Sequence, residues 1–236
     1  MKASPQQIAA LRDVAEHLGP LRDEVVFLGG MVTGLLVTDP AAPIVRSTDD
    51  IDLIIEVAST LKYQTELRDR LLDLGFRESV EDDVVCRWRL GPWIVDIMPT
   101  RPGVLGFANP WYPHAMATAR VVVLPPGESG PLPIRVVSAP SFLATKLVAW
   151  EGRGQGDLLH PDLEDVIAVA DGRRELVAEV EADIPEIRDF LSDALTRLFQ
   201  AGLADALPGH LPSDAASQAR IPIVLGVLDR LRRPSR

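Results

Sequence analysis

Two carboxylates set inside an otherwise apolar run constrain this chain more than any other feature. The stretch VFLGGMVTGLLVTDPAAPIVRSTDDIDLIIEV contains two strand-like segments, Val25 to Leu28 and Ile51 to Val57, and the second is led by Asp-Ile-Asp. Alternate side chains of a strand share a face. Asp50 and Asp52 therefore point the same way, while Ile51 and Leu53 point into a core. Two carboxylates so close repel each other unless a cation lies between them, and a hard, oxygen-seeking ion such as Mg²⁺ suits that role. Asp49 is aimed away from the pair and reads as the end of the loop.

A third carboxylate stands in VVCRWRLGPWIVDIMPT, where two alternating runs flank Gly91-Pro92 and so predict a hairpin. Alternation places Trp93, Val95 and Ile97 on one face and Ile94, Asp96 and Met98 on the other. If this strand lies beside the Asp50/Asp52 strand, three carboxylates converge, the donor set that a two-metal site requires. Further strands are expected at Arg120 to Leu124 and Ile134 to Val137, a first helix carrying Ile8, Leu11, Ala15 and Leu18 and stopped by Gly19-Pro20, and a second helix at residues 61–74. Leu61, Leu67, Leu71 and Leu74 are expected on the inner side of the second of these helices. After Ser138 the pattern turns helical, with runs at about 140–151, 162–171, 173–181, 185–202 and 214–232. The expectation is an α+β fold. A small mixed β-sheet core with flanking helices spans residues 1–138, and a helical C-terminal part spans 139–236.

Composition narrows the function classes. The chain has 236 residues and a formal net charge of −10, which argues against a general nucleic-acid coat protein. Its single cysteine, Cys86, rules out an internal disulfide and reads as a buried structural residue. The N-terminal stretch lacks the apolar core of a secretory signal, and the longest nearly apolar run, residues 25–37, is too short to span a bilayer. A cytoplasmic protein without membrane association is expected.

The first strand ends in Gly29-Gly30, ahead of a helical segment at 31–37. Glycine permits close backbone approach and positive φ, and a helix N-terminus favours a phosphate. The pattern is neither G-x-G-x-x-G nor a P-loop. On the helix at 140–151, Phe142, Lys146, Ala149 and Arg153 fall on one face, so two cations flank a small residue. Arg153 meets a phosphate or caps that helix. Arg46 contacts a phosphate or braces its loop, and Ser47 bonds a triphosphate or caps the turn. Asp162 and Asp165 in HPDLEDVIAV share a face, and Asp at a helix start is ordinarily a cap.

Taken in order, FLGG, RSTDDIDLII, IVDIM, ATKLVAWEGRG and HPDLEDVIAV resemble the nucleotidyltransferase superfamily that includes DNA polymerase beta. Within it they look most like the AbiEii/AbiGii-type enzymes, several of which are toxins of toxin–antitoxin or phage-defence systems. Met31 follows the glycines where many relatives carry Ser or Thr.

The resemblance implies that Asp50, Asp52 and Asp96 hold two Mg²⁺ ions, or Mn²⁺ in their place, and that Gly29, Gly30, Arg46, Ser47, Lys146, Arg153 and Asp162 serve the nucleotide, with Asp162 orienting Lys146 or Arg153. It implies transfer of a nucleoside monophosphate from an NTP (ATP among them) to a hydroxyl of tRNA or protein, with an antitoxin as partner. Trp111 and Tyr112 stack a base or pack on the core, and Arg87, Arg89 and Arg101 are the arginines available to an RNA acceptor. The alternatives are an aminoglycoside-type nucleotidyltransferase and a non-catalytic nucleotide-binding or partner-binding relative. A receiver-like phospho-acceptor domain is disfavoured by the hairpin carrying Asp96, which breaks the βα repeat such a domain needs.

Overall fold

The computed structural model describes residues 2–46, 48–79, 84–127 and 130–233. It shows a mixed α/β fold in which a seven-stranded mixed sheet is accompanied by helices. Two compact units emerge. One comprises Ala3–Val32 and Arg46–Ser138, and the other Met1–Lys2, Thr33–Val45 and Ala139–Arg236.

All described strands belong to the first unit: β1 (Val25–Leu28), β2 (Asp50–Ile55), β3 (Arg77–Glu78), β4 (Arg87–Leu90), β5 (Trp93–Pro99), β6 (Arg120–Gly127) and β7 (Gly130–Val136). Their order is β3-β4-β5-β2-β1-β7-β6, with β2/β5 and β1/β7 parallel and the other pairs antiparallel. The central strands β1 and β2 are the most apolar; Val25, Val26, Phe27, Ile51, Leu53 and Ile54 have no exposed surface. Each such side chain contributes roughly 1.5–3 kcal/mol through burial, so this pair anchors the sheet.

Four prolines that sequence patterning would place in a loop, Pro125, Pro126, Pro131 and Pro133, lie within strands, so β6 and β7 run longer than expected. β6 is an edge strand, and β7 meets β1 only at Val136, so those prolines need no ladder donor on their outer sides.

The first helix, Pro5–Leu18, starts at a capping box in which Ser4 and Gln7 exchange side chain–backbone hydrogen bonds of 3.1 and 2.8 Å. The helix expected at 61–74 is present but contains a π turn at Tyr63–Leu67 between α segments Thr60–Lys62 and Arg68–Asp73. The wider turn changes the buried face. Leu61, expected inside, is 70% exposed, and Tyr63 is buried instead, with its hydroxyl donating to the Ile97 carbonyl at 2.6 Å.

In the second unit, helices Ala139–Arg153, Pro161–Gly172, Leu176–Glu181, Pro185–Gln200 and Ile221–Leu231 pack around Leu143, Leu147, Val169, Leu191, Leu195 and Leu228. The single helix expected over 214–232 is two, Ala215–Gln218 and Ile221–Leu231. Pro222 lacks an amide donor and suits a first helical turn, so it opens a new helix where it would break a continuous one.

Segment Thr33–Val45, which the expected division at residue 138 left with the first part, is hydrogen-bonded into this helical unit. The amides of Thr38 and Asp39 both donate to the Gly172 carbonyl at 2.8 Å, and Arg173 Nη1 donates to the Leu36 carbonyl at 2.7 Å. Gly172 allows that approach, since a Cβ there would stand 2.5 Å from Val37 Cγ1.

Candidate active site

The sheet brings the three expected carboxylates onto one face. β2 and β5 run parallel in a register that sets Asp52 beside Asp96 and Asp50 beside Ile94. Neighbouring strands lie about 4.8 Å apart, and in-register neighbours share a face. Asp50 and Asp52 are partly exposed, while Asp96 is buried, with 13% of its side chain accessible. Behind them, Ile51, Leu53, Val95 and Ile97 are buried, so the strands hold the acidic face against a rigid backing.

Gly29 faces this set. It has φ +73°, a left-handed conformation that favours glycine, and a Cβ on it would lie 1.8 Å from Asp52 Oδ2. The glycine is therefore what lets the Asp52 carboxylate lie against the end of β1. The helical segment after it spans Gly30–Leu36, a 3₁₀ turn at Gly30–Val32 followed by Thr33–Leu36. So short a segment carries little of the macrodipole invoked for phosphate binding. Met31 is buried, at 2% exposure.

A fourth side chain lies on the same face. Arg87 of β4 sits directly opposite Asp96 in the antiparallel β4/β5 pair. Its Nε and Nη2 each donate to one Asp96 oxygen at 2.9 Å, a two-pronged contact, and Nη2 is 3.7 Å from Asp50 Oδ2. A cation thus already bridges two of the three carboxylates. Sequence inspection had placed Arg87 only among surface arginines. The signal that finds it is the hairpin: Gly91, at φ +54°, occupies the first central position of a two-residue turn, so Leu90 pairs with Trp93 and counting back pairs Arg87 with Asp96.

Close by, Cys86 is buried as expected. Burial and the negative charge of Asp96 push its thiol up to about 12, which leaves it protonated and inert.

A divalent ion fits this face by donor chemistry, three carboxylates offering only hard oxygen donors, and by the guanidinium that stands in for a cation there. As the side chains stand, no group of three or more His, Cys, Asp or Glu is drawn close enough to hold one ion among the described residues. Arg87 would have to yield.

Lys146, Arg153 and Asp162 come together within the helical unit. Lys146 Nζ donates to Asp162 Oδ1 at 3.0 Å and lies 2.7 Å from Asp165 Oδ2, with all three side chains 8% exposed or less. Arg153 contacts both Asp162 oxygens at 2.8 Å. Burial pushes the Asp162 carboxyl up, but the Arg153 hydrogen bond and the charges of Lys146 and Arg153 outweigh it and hold the group below its ordinary range.

His160 caps the helix Pro161–Gly172, its Nδ1 accepting from the Asp162 amide at 3.2 Å. The carbonyl of Arg46 accepts from Gln7 Nε2 at 3.3 Å, and Ser47 lies outside the described residues. Tyr112 is 9% exposed and donates to Met98 Sδ, so its ring packs on the core.

No protein-family model matches the chain, and no curated protein matches it. Solved structures similar to it include the antibiotic-resistance factor ANT(2'')-Ia in solution, with 18% identity and a TM-score of 0.47 over 89% of this chain and 100% of that one. A second is an antigenic nucleotidyltransferase-like protein from Paracoccidioides brasiliensis, with 20% identity and a TM-score of 0.48 over 84% and 93%. A third is ANT(2'')-Ia in complex with adenylyl-2''-tobramycin, with 17% identity and a TM-score of 0.45 over 81% and 98%.

Proposed function

We propose that the chain is a metal-dependent nucleotidyltransferase whose site is the acidic face of the sheet. The observation that carries this reading is the in-register pair Asp52 and Asp96 on adjacent parallel strands, with Asp50 on the same face and Gly29 making room for Asp52. Asp50, Asp52 and Asp96 would hold Mg²⁺ or Mn²⁺. When bound, such ions neutralise phosphate oxygens and help ionise an attacking hydroxyl.

The chain's own residues supply position and charge. β2 and β5 fix the three carboxylates against a buried apolar layer. Gly29 keeps Asp52 seated beside the end of β1. Asp96, once one of its oxygens is released by Arg87, accepts the proton of the acceptor hydroxyl. A nucleoside monophosphate then passes from an NTP to that hydroxyl and pyrophosphate leaves. The family resemblance of the motifs points to tRNA or protein as acceptor and to a toxin with an antitoxin partner; an aminoglycoside is the small-molecule alternative.

The test is transfer of label from each α-³²P NTP, with Mg²⁺, to total RNA, total protein or an aminoglycoside. Parent protein is expected to label one of these acceptors, and Asp52→Asn, folded by circular dichroism, to lose at least a thousandfold of that rate. Equal labelling by the two proteins sinks the reading.

One observation favours a second reading, a non-catalytic relative: the two-pronged hold of Arg87 on Asp96. Metal-dependent NTP binding by the parent without any transfer would support it.

A further inference from the structure

We propose that Arg87 is the built-in counter-ion of the carboxylate face: it holds Asp96 and Asp50 in place of a divalent ion, must be displaced when one binds, and thereby sets the metal affinity of the site. This inference rests on the metal-binding reading above.

Arg87 is placed by register, not by chance rotamer. It is the cross-strand partner of Asp96, and both side chains are largely shielded, at 19% and 13% accessible. Its two 2.9 Å contacts match the fork of a guanidinium to the two oxygens of a carboxylate, the stronger geometry for such pairs. The remaining reach, 3.7 Å to Asp50, extends the same charge to β2.

A guanidinium does not lose its proton in a protein, so it cannot be neutralised to admit a metal. It can only move aside. A divalent ion drawn to Asp50, Asp52 and Asp96 therefore competes with Arg87 for the oxygens of Asp96. Arg87 acts through Asp96, as a positioning residue.

The experiment is Mn²⁺ binding without nucleotide, followed by the electron paramagnetic resonance signal of free Mn²⁺, for the parent chain, Arg87→Gln and Arg87→Lys. Removing a positive charge within hydrogen-bond reach of the ligands is expected to tighten Mn²⁺ binding by about tenfold or more in Arg87→Gln. Arg87→Lys keeps the charge but loses the fork, and is expected to gain about threefold.

In the melting curve, Arg87→Gln should be less stable than the parent without metal and recover with Mn²⁺. A purely structural arginine would give the first effect without the tighter binding. Binding by Arg87→Gln equal to or weaker than the parent overturns the inference and leaves the metal-binding reading standing. No Mn²⁺ binding by any of the three proteins overturns both. Should Arg87→Gln not fold, absence of any gain in Arg87→Lys overturns the inference by itself.

Discussion

Gly29 and Asp52 show how one residue's shape decides what its neighbour can do. A methyl group at position 29 would occupy the space of the Asp52 carboxylate and would also sit at a positive φ. Gly29→Ala is expected to cost about 2 kcal/mol of stability, from backbone strain and the forced movement of Asp52. The shift in urea midpoint measures this, and an unchanged midpoint contradicts the placement of Asp52. Because Asp52 must move, Mn²⁺ binding should weaken in the same variant. The sequence pattern singled out Gly29 for phosphate contact; the pressure on it visible in the structure comes from a carboxylate on the next strand. Alternation alone made the shared face of Asp50 and Asp52 legible, since side-chain direction in a strand is a local property.

At the scale of elements, the hairpin β4/β5 was readable and its consequence was available by counting. A two-residue turn sets register, and register sets Arg87 opposite Asp96. The helical pair Ala139–Arg153 and Pro161–Gly172 was also readable. Lys146 and Arg153 share one helix face, and Asp162 engages both, the orienting contact that the family resemblance implied for it. Asp165 on Lys146 as well was not legible from spacing.

Removing one partner of a buried ion pair leaves the other uncompensated. Lys146→Met is therefore expected to destabilise the protein by about 3 kcal/mol. Chemical denaturation reads this directly, and a change under 1 kcal/mol would mean that the ammonium is not a needed counter-ion. The π turn at Tyr63–Leu67 belongs to the same scale. Spacing alone predicted Leu61 inward, but the added residue in that turn and the carbonyl of Ile97 select Tyr63.

For the whole molecule, the segment between the glycine bend and the acidic strand is tied into the helical unit by a second charge cluster. Arg220 donates to both oxygens of Asp171 and to Asp39, and Arg174 also reaches Asp39. Hydrogen bonds from the Ala41 amide and from Arg220 hold the Asp39 carboxyl down at about 2, against 3.8 for an ordinary aspartate. A depressed carboxylate pKa adds stability above the unfolded value, and that stability is lost as pH falls through the folded one. Asp39 should thus make the melting temperature fall between about pH 4 and pH 2, and Asp39→Asn should flatten the profile in that window. Burial moves the Asp171 carboxyl the other way, upward, so the two members of the cluster can be separated by comparing Asp39→Asn with Asp171→Asn. Among the described residues no helix is long and apolar enough to cross a membrane.

What the amino-acid order determined by itself was local: the acidic face of one strand, the hairpin and its register, and the change from strand to helix after Ser138. These follow from side-chain periodicity and turn chemistry, which act over a few residues. Only the tertiary structure decided that β2 and β5 pair in parallel with Asp52 beside Asp96, that Thr33–Val45 joins the helical unit, and that Lys146 is buried between carboxylates. Parallel pairing joins segments with no tight turn between them, and a buried ion pair depends on which helices meet. Neither is encoded in any short window of the chain.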